Sequence, residues 1–253
     1  MGIYTITGTA TGIGAALRVQ LVKLGHEVIG IDIKDADISA DLSTPEGRNQ
    51  ALEGVKARAS AGLDGFIPCA GVGPQFEPLN TTVSLNFYGS VDLALGLKDL
   101  LGIKKGAVVM IASNSAPLPG LNPDLVESML NHDEAKTREL ILALNDGHQA
   151  YAGSKLAIAR WTRRNAPAWA ADGIRLNAVA PGVTQTPLLQ AGLDHPRWGK
   201  AIRSFPIPTG DPAQPEQIAS VIAFLLSAEA AFCCGSVFFV DGGSDAVMRP
   251  DRF

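Results

Sequence analysis

The sequence has 253 residues, of which 46% are hydrophobic and 18% charged, and this length is enough to bury the core of one large domain. Its formal net charge of −4 excludes a general attraction to nucleic acid or anionic membranes, and no apolar run reaches the roughly 18 residues of a membrane span. Because the three cysteines do not make a disulfide framework and the first residues lack a signal-segment pattern, we expect a reduced, cytoplasmic protein.

Short apolar runs alternate with helical patterns, beginning with a strand over residues 3–6 and a helix over residues 15–23. Further strands are predicted over residues 27–32, 65–70, 106–112, 174–179 and 236–240. Further helices are predicted over residues 45–59, 83–101, 151–171 and 215–226. Alternating strands and helices require crossover connections, and these strands lack polar alternation. The pattern therefore predicts one α/β domain over residues 1–253 with a doubly wound, mostly parallel sheet.

Residues 116–149, called the insertion below, interrupt this alternation directly before Tyr151. The segments 124–130 and 134–144 within it have helical patterns. We therefore predict a small helical excursion rather than a structureless loop.

The stretch TGTATGIGAAL, residues 7–17, places Gly8, Gly12 and Gly14 at the turn between the first strand and the first helix. In parallel α/β sheets ligands bind beyond the carboxyl ends of the strands, where a helix presents free N–H groups to a phosphate. We attribute the glycines to the close approach of a dinucleotide pyrophosphate, although a tight turn without a ligand stays open from these residues alone. Asp32 ends the next strand, where an acidic residue would hold ribose hydroxyls. It favours NAD(H) over NADP(H), and the nearby Lys34 leaves that preference open.

The segment YAGSK places Tyr151 and Lys155 four residues apart on one helical face. Such a pair alone is common on helix surfaces, but here we expect Lys155 to lower the pKa of Tyr151 and make its phenol a general acid and base. Ser113 ends the strand of VVMIAS at the ligand edge of the sheet, and Asn86 lies early in a helix. These four residues are the predicted catalytic group.

Together the glycine turn, Asp32, Asn86, Ser113 and the tyrosine–lysine pair resemble the short-chain dehydrogenase/reductase family over essentially the whole chain. The resemblance extends to the segments CAG at residues 69–71, PGVTQTP at 181–187 and VDGG at 240–243. Cys69 departs from the family's usual asparagine, and we expect it to be a small packed thiol.

The resemblance implies a Rossmann-type fold and hydride transfer between a substrate carbon and nicotinamide. It implies that Tyr151 exchanges a proton with the substrate oxygen, that Ser113 stabilises that oxygen, and that Lys155 also holds the nicotinamide ribose. Asn86 would tether a water molecule that connects Lys155 to solvent. In the implied NAD(H) site, Asp41 and Leu42 would contact the adenine, and Val183 and Thr186 would hold the nicotinamide carboxamide. The complete implied site comprises Gly8, Thr11, Gly12, Ile13, Gly14, Asp32, Asp41, Leu42, Ala70, Gly71, Tyr151, Lys155, Val183 and Thr186.

Within the family, the insertion and the segments GIDIKDADISADLSTPEGR, QAYAGSK, TPLLQAGL, ASVIAFL and DGGSDAVMRP are similar to the bacterial 3α-hydroxysteroid dehydrogenase/carbonyl reductase branch. This similarity implies reversible oxidation of a 3α-hydroxyl group on a steroid or bile acid. Six apolar residues could line a cleft for a large hydrophobic alcohol, and ordinary packing explains each of them equally well. They are Pro117, Leu118, Pro119, Leu188, Leu189 and Leu193.

Two other functions stay open, namely a broad carbonyl reductase or alcohol dehydrogenase and a non-enzymatic NAD(H)-sensing protein. The intact set of Ser113, Tyr151 and Lys155 argues against the second of these. The four histidines lack metal-ligand spacing, so we expect no metal.

Members of the family commonly assemble through two surfaces, which here correspond to the helices over 83–101 and 151–171 and to the last helix with the last strand. The insertion would emerge beside the first surface and block it. We therefore predict a homodimer through the last helix and strand, with the insertion partly covering the substrate cleft. The apolar residues of that second surface are Ile218, Val221, Phe224, Val237 and Phe239. An insertion without effect on assembly is the alternative.

Overall fold

Seven strands form one parallel sheet in the order β3-β2-β1-β4-β5-β6-β7 in the computed structural model, which describes residues 1–252. The strands are β1 (Ile3–Thr7), β2 (Glu27–Asp32), β3 (Ile38–Ser39), β4 (Gly65–Pro68), β5 (Ala107–Ile111), β6 (Arg175–Pro181) and β7 (Val237–Val240). Thr5 of β1 lies opposite Ile29 of β2 on one side and Phe66 of β4 on the other. The strand order therefore reverses at β1, and the prediction of a doubly wound α/β fold is confirmed; the short strand β3 was not predicted.

Helices cover both faces of the sheet. They are α1 (Gly12–Lys23), α2 (Pro45–Arg58), α3 (Leu79–Val83), α4 (Gly89–Gly96), α5 (Lys98–Lys104), α6 (Pro123–Leu130), α7 (Glu134–Leu144), α8 (Gly147–Ala171), α9 (Pro187–Asp194), α10 (Trp198–Arg203), α11 (Pro215–Leu226) and α12 (Ser244–Met248). A π-helical turn, Ser84–Tyr88, joins α3 to α4. The single helix predicted over 83–101 is therefore wrong, because this stretch consists of the π turn, α4 and the start of α5.

Strand β5 shows why a central strand of this sheet is apolar along its whole length. Val108 and Met110 belong to the core on the face covered by α2, α4 and α8, whereas Val109 and Ile111 belong to the core on the face covered by α1 and α11. Both faces of the strand are buried, so no position along it favours a polar side chain.

The insertion forms two helices because each has a local N-terminal cap. Asn122 Oδ1 accepts a hydrogen bond from the Leu125 N–H at 3.0 Å, and Asp133 Oδ1 accepts one from the Lys136 N–H at 2.9 Å. Helix α6 packs against α8 and helix α7 packs against α3, with Leu125 and Ile141 fully buried. The prediction of a helical excursion is therefore correct for α6 and α7.

Over residues 1–252, no helix combines the length and apolar character needed to cross a membrane. The same part of the chain contains no group of three or more histidine, cysteine, aspartate or glutamate side chains arranged to hold a metal ion.

Candidate active site

The glycine turn lies between β1 and α1, at the carboxyl edge of the sheet. Gly8 and Gly12 have φ angles of +72° and +58°, which residues with a side chain rarely adopt. A Cβ on Gly8 would lie 2.7 Å from the Ala70 nitrogen, and a Cβ on Gly14 would overlap the carbonyl oxygen of Gly8. The chain's own packing therefore requires glycine at positions 8 and 14, and the binding of a pyrophosphate at this turn stays a prediction.

Asp32 lies beside this turn, at the end of β2. Its Oδ2 accepts a hydrogen bond from the Ala10 N–H at 2.9 Å, and its Oδ1 accepts one from the Ile33 N–H at 2.7 Å. These contacts hold the carboxylate at the wall of a large cleft. The exposed Lys34 lies outside the cleft lining in the part of the chain that the structure describes.

The segment after β4 brings Cys69, Ala70 and Gly71 to the same cleft. The Ala70 N–H donates to Thr7 Oγ1 at 2.9 Å, which joins the ends of β1 and β4. Burial raises the pKa of the Cys69 thiol to about 12, against the opposing charge of Lys155. The thiol therefore stays neutral near pH 7, as expected for a packed side chain.

The structure brings most of the other predicted cofactor residues to this cleft. Thr11, Ile13, Leu42, Val183 and Thr186 line it. Asp41 is the exception, because its Oδ1 accepts hydrogen bonds from the backbone N–H and hydroxyl of Ser43, at 2.9 and 2.7 Å. The assignment of these residues to NAD(H) stays a prediction.

Three of the four predicted catalytic side chains meet on the floor of the cleft, where Ser113 follows β5 and both Tyr151 and Lys155 project from α8. Ser113 Oγ accepts hydrogen bonds from the Ser115 backbone N–H at 3.1 Å and from the Ser115 hydroxyl at 3.0 Å. Lys155 Nζ donates to the Ile111 carbonyl oxygen at 2.9 Å and lies 5.9 Å from the centroid of the Tyr151 ring. The arrangement leaves a phenol, a hydroxyl and an amine facing one small volume.

Burial controls the acidity of this group. It raises the pKa of Tyr151, and the hydroxyl of Ser113 opposes that rise. It also lowers the pKa of Lys155 to about 8, with the nearby Cys69 acting in the other direction. The pKa of Tyr151 is therefore raised overall in the protein alone, and the expectation that Lys155 lowers it stays a prediction.

Asn86 lies within the π turn and is fully buried. Its Oδ1 accepts a hydrogen bond from the Val72 N–H at 2.9 Å, and its Nδ2 donates to the Val72 carbonyl oxygen at 3.0 Å. The side chain thus binds both backbone groups of Val72, a residue of the cleft wall. Its predicted water-tethering role stays a prediction.

The cleft extends past Tyr151 into a predominantly apolar section, and its total volume is about 620 Å3. Three of the six predicted apolar residues, Leu118, Leu188 and Leu189, line it; Pro117, Pro119 and Leu193 do not. The sequence reading missed the wall residues Val72, Pro74, Gln75, His148, Trp198, Ala201, Ile202 and Phe205. For Trp198, Ala201 and Ile202, the signal that could have found them is their position in a short helix, α10, that follows α9 after the Pro-Gly segment.

Helices α9 and α10 therefore form the cover of this section. Helices α6 and α7 of the insertion contribute no lining residue within residues 1–252; Leu118 and His148, at the two ends of the insertion, do so. The expectation that the insertion partly covers the substrate is wrong for its two helices, because their apolar faces are buried against α3 and α8.

Comparison with known proteins shows similarity over the entire chain. Residues 141–245 match the family model described as enoyl-(acyl carrier protein) reductase. The 3-alpha-hydroxysteroid dehydrogenase/carbonyl reductase of Comamonas testosteroni is 47% identical over 100% of both chains. The cis-4-hydroxycyclohexanecarboxylate dehydrogenase of Sinomonas cyclohexanicum is 31% identical over 97% of each. The crystal structure of the 3-alpha-hydroxysteroid dehydrogenase from Pseudomonas sp. B-0831 complexed with NADH superimposes with a TM-score of 0.97 at 47% identity, over 99% of this chain and 100% of that one.

Proposed function

Because this chain belongs to the short-chain dehydrogenase/reductase family, we propose that it is an NAD(H)-dependent oxidoreductase that interconverts a secondary alcohol and a ketone. We further propose that the reacting group is the 3α-hydroxyl or 3-oxo group of a steroid or bile acid. The observation that carries this proposal is the position of Ser113 and Tyr151 in an apolar cleft that continues to the glycine turn and Asp32. The relative that is 47% identical is named for the same substrate class.

The chain's own groups fit a dinucleotide. Thr11 precedes α1 without forming a side-chain cap in the part of the chain that the structure describes, so the N–H groups of the first helical turn are available to a pyrophosphate. Asp32 places a carboxylate where ribose hydroxyls would bind and where a 2′-phosphate would be repelled. When bound, the nicotinamide would supply or accept the hydride.

Proton transfer is the task of the polar groups on the cleft floor. Tyr151 would exchange its phenolic proton with the substrate oxygen, and Ser113 would donate a hydrogen bond to that oxygen as charge develops. The raised pKa of Tyr151 keeps the phenol protonated before a ligand binds. A positively charged ligand ring and a charged Lys155 would both favour the phenolate, so the tyrosine would become a usable base when the site is filled.

The apolar section accounts for a large hydrophobic substrate. Leu188, Leu189, Trp198, Ile202 and Phe205 form a wall next to the catalytic floor. Burying such surface favours a substrate with an extended hydrocarbon body over a small polar alcohol.

A panel of alcohols tests the proposed activity. NADH formation should be fastest with a 3α-hydroxysteroid, slower with its 3β epimer, and slow with small aliphatic or sugar alcohols. Comparable rates with all alcohols would favour a broad carbonyl reductase or alcohol dehydrogenase. NADH binding without turnover of any alcohol or ketone would favour a non-enzymatic role.

We also propose a homodimer formed through α11 and β7. Strand β7 is an edge of the sheet, its four residues are only partly buried, and Phe224 of α11 is 46% exposed. Closed twofold pairing through such a surface would cover the edge strand. Light scattering should give twice the mass of the chain, and the charged variant Phe224→Glu should give the monomer; a wild-type tetramer would contradict the proposal.

We also propose that the protein is located in the cytoplasm, which is a reducing environment. Cys69, Cys233 and Cys234 are all free thiols, and Cys234 is exposed. Cell fractionation with an antibody against the chain tests this, and recovery outside the cytoplasmic fraction would contradict it.

A further inference from the structure

The π turn that carries Asn86 is a local irregularity in an otherwise α-helical stretch. Helix α3 leads into the turn and α4 follows it directly. Single π turns are uncommon inside helices and are frequent at functional sites. Since Asn86 at its centre binds both backbone groups of Val72, the position of the turn sets the position of that part of the cleft wall.

The first residue of the turn is held by α7 of the insertion. Ser84 Oγ donates to Glu134 Oε1 at 2.7 Å, and Arg138 Nη2 donates to the same carboxylate oxygen at 3.1 Å. The other carboxylate oxygen, Oε2, pairs with the buried Arg48 of α2 at 2.6 Å. Burial raises the pKa of Glu134, but the hydrogen bonds from Ser84 and Arg48 outweigh that effect and keep the carboxyl group ionised.

The last residue of the turn is held by the same helix. The hydroxyl groups of Tyr88 and Thr137 lie 2.8 Å apart, and both residues are buried. Thr137 Oγ1 also lies 2.8 Å from Ser128 Oγ of α6 and donates to the Asp133 carbonyl oxygen at 2.9 Å. A buried hydroxyl that lost these partners would remain unsatisfied, so the contact opposes any shift of the turn.

We propose that the insertion acts on catalysis from outside the cleft, with Glu134 and Thr137 as positioning residues that hold the two ends of the π turn and thereby orient Asn86. The proposal rests on the proposed function only for its kinetic readout. This role differs from the predicted one, in which the insertion partly covers the substrate. It requires no contact between the insertion helices and the substrate.

The test compares three single variants of the complete chain. Thr137→Val removes the hydroxyl that contacts Tyr88 while keeping the shape of the side chain. Glu134→Gln weakens the hold on Ser84 and Arg48. Thr162→Val is the matched control, because Thr162 is a buried threonine of α8 whose hydroxyl has no hydrogen-bond partner within residues 1–252.

Two readouts separate positioning from a general loss of stability. With a 3α-hydroxysteroid, kcat should fall about tenfold in Thr137→Val and Glu134→Gln, within the roughly hundredfold loss that a 1 Å misplacement can cause, whereas the KM for NAD+ should stay near the wild-type value. Amide exchange at Val72, whose N–H is bonded to Asn86, should become faster in both variants and stay unchanged in Thr162→Val.

Amide exchange does not depend on turnover, so it tests whether Glu134 and Thr137 hold the π turn even if the wild type oxidises no steroid. Absence of steroid oxidation by the wild type would count against the proposed function alone. Unchanged kcat and unchanged exchange at Val72 in both insertion variants would overturn the proposal. Changes that match those of Thr162→Val, or that spread over all amides in proportion to a lower Tm, would overturn it as well.

Discussion

Replacing Lys155 with methionine should make the protein more stable while it abolishes activity. The side chain is only 6% exposed, and no carboxylate lies within ion-pair distance of its amine in the residues that the structure covers. Burial lowers its pKa from 10.5 to about 8, so the charged amine is held in an unfavourable environment at neutral pH. Methionine has a similar length and shape without the charge.

The size of the effect follows from two opposing contributions. A fall in pKa from 10.5 to about 8 corresponds to about 3 kcal/mol against the folded state at pH 7. Losing the 2.9 Å hydrogen bond to the Ile111 carbonyl oxygen costs about 1 kcal/mol. The variant should therefore gain about 2 kcal/mol, which for a chain of this size is a rise in Tm of about 4–8 °C.

The dependence on pH distinguishes this cause from improved packing. Because the folded-state pKa lies below the unfolded one, the penalty is fully present below pH 8 and disappears as pH rises toward 10.5. Urea unfolding of wild type and variant at pH 7 and at pH 10 should show a gap that narrows strongly. A variant that is less stable than the wild type at pH 7, or a gap independent of pH, would refute the reasoning.

Three further changes test the rest of the site. Tyr151→Phe should lower turnover by roughly two to four orders of magnitude while NADH still binds by fluorescence titration; near-normal turnover would contradict the acid/base role. Asp32→Ala should narrow the ratio of kcat/KM for NAD+ over that for NADP+, and equal use of both cofactors by the wild type would show that Asp32 does not select the cofactor. Gly14→Ala should lower the Tm even without cofactor, because its Cβ would overlap the Gly8 carbonyl oxygen; an unchanged Tm with weaker NADH binding would show that the cofactor alone requires this glycine.

The fold was predictable because its determinants are local. Apolar strands such as β5 follow from burial on both faces, and the helical patterns over 124–130 and 134–144 predicted α6 and α7 within a residue of their observed bounds. The π turn was not predicted, since the pattern over residues 83–101 is that of one continuous helix. Its ends are held by Glu134 and Thr137, which are distant in sequence, so no local pattern encodes the break.

The positions of the polar residues of the candidate site were likewise predictable from the sequence, because Ser113 lies just after a strand and Tyr151 and Lys155 lie one helical turn apart. The pKa values of Tyr151 and Lys155 were not predictable from the sequence. Spacing along α8 predicts that Lys155 is near Tyr151, but only the surrounding packing determines that burial raises one pKa and lowers the other.

The apolar wall differs from the catalytic floor in a way that bears on substrate preference. Polar groups at the floor are fixed by hydrogen bonds, since Lys155 donates to the Ile111 carbonyl oxygen and, beside the floor, Asn86 binds the backbone of Val72. The covering helices α9 and α10 present apolar side chains whose exchange for one another leaves no polar group unsatisfied, so they tolerate substitution at low cost to the fold. We therefore expect chemistry and substrate preference to rest on separate elements, so that changes in α9 and α10 alter the shape of the cleft without displacing Tyr151.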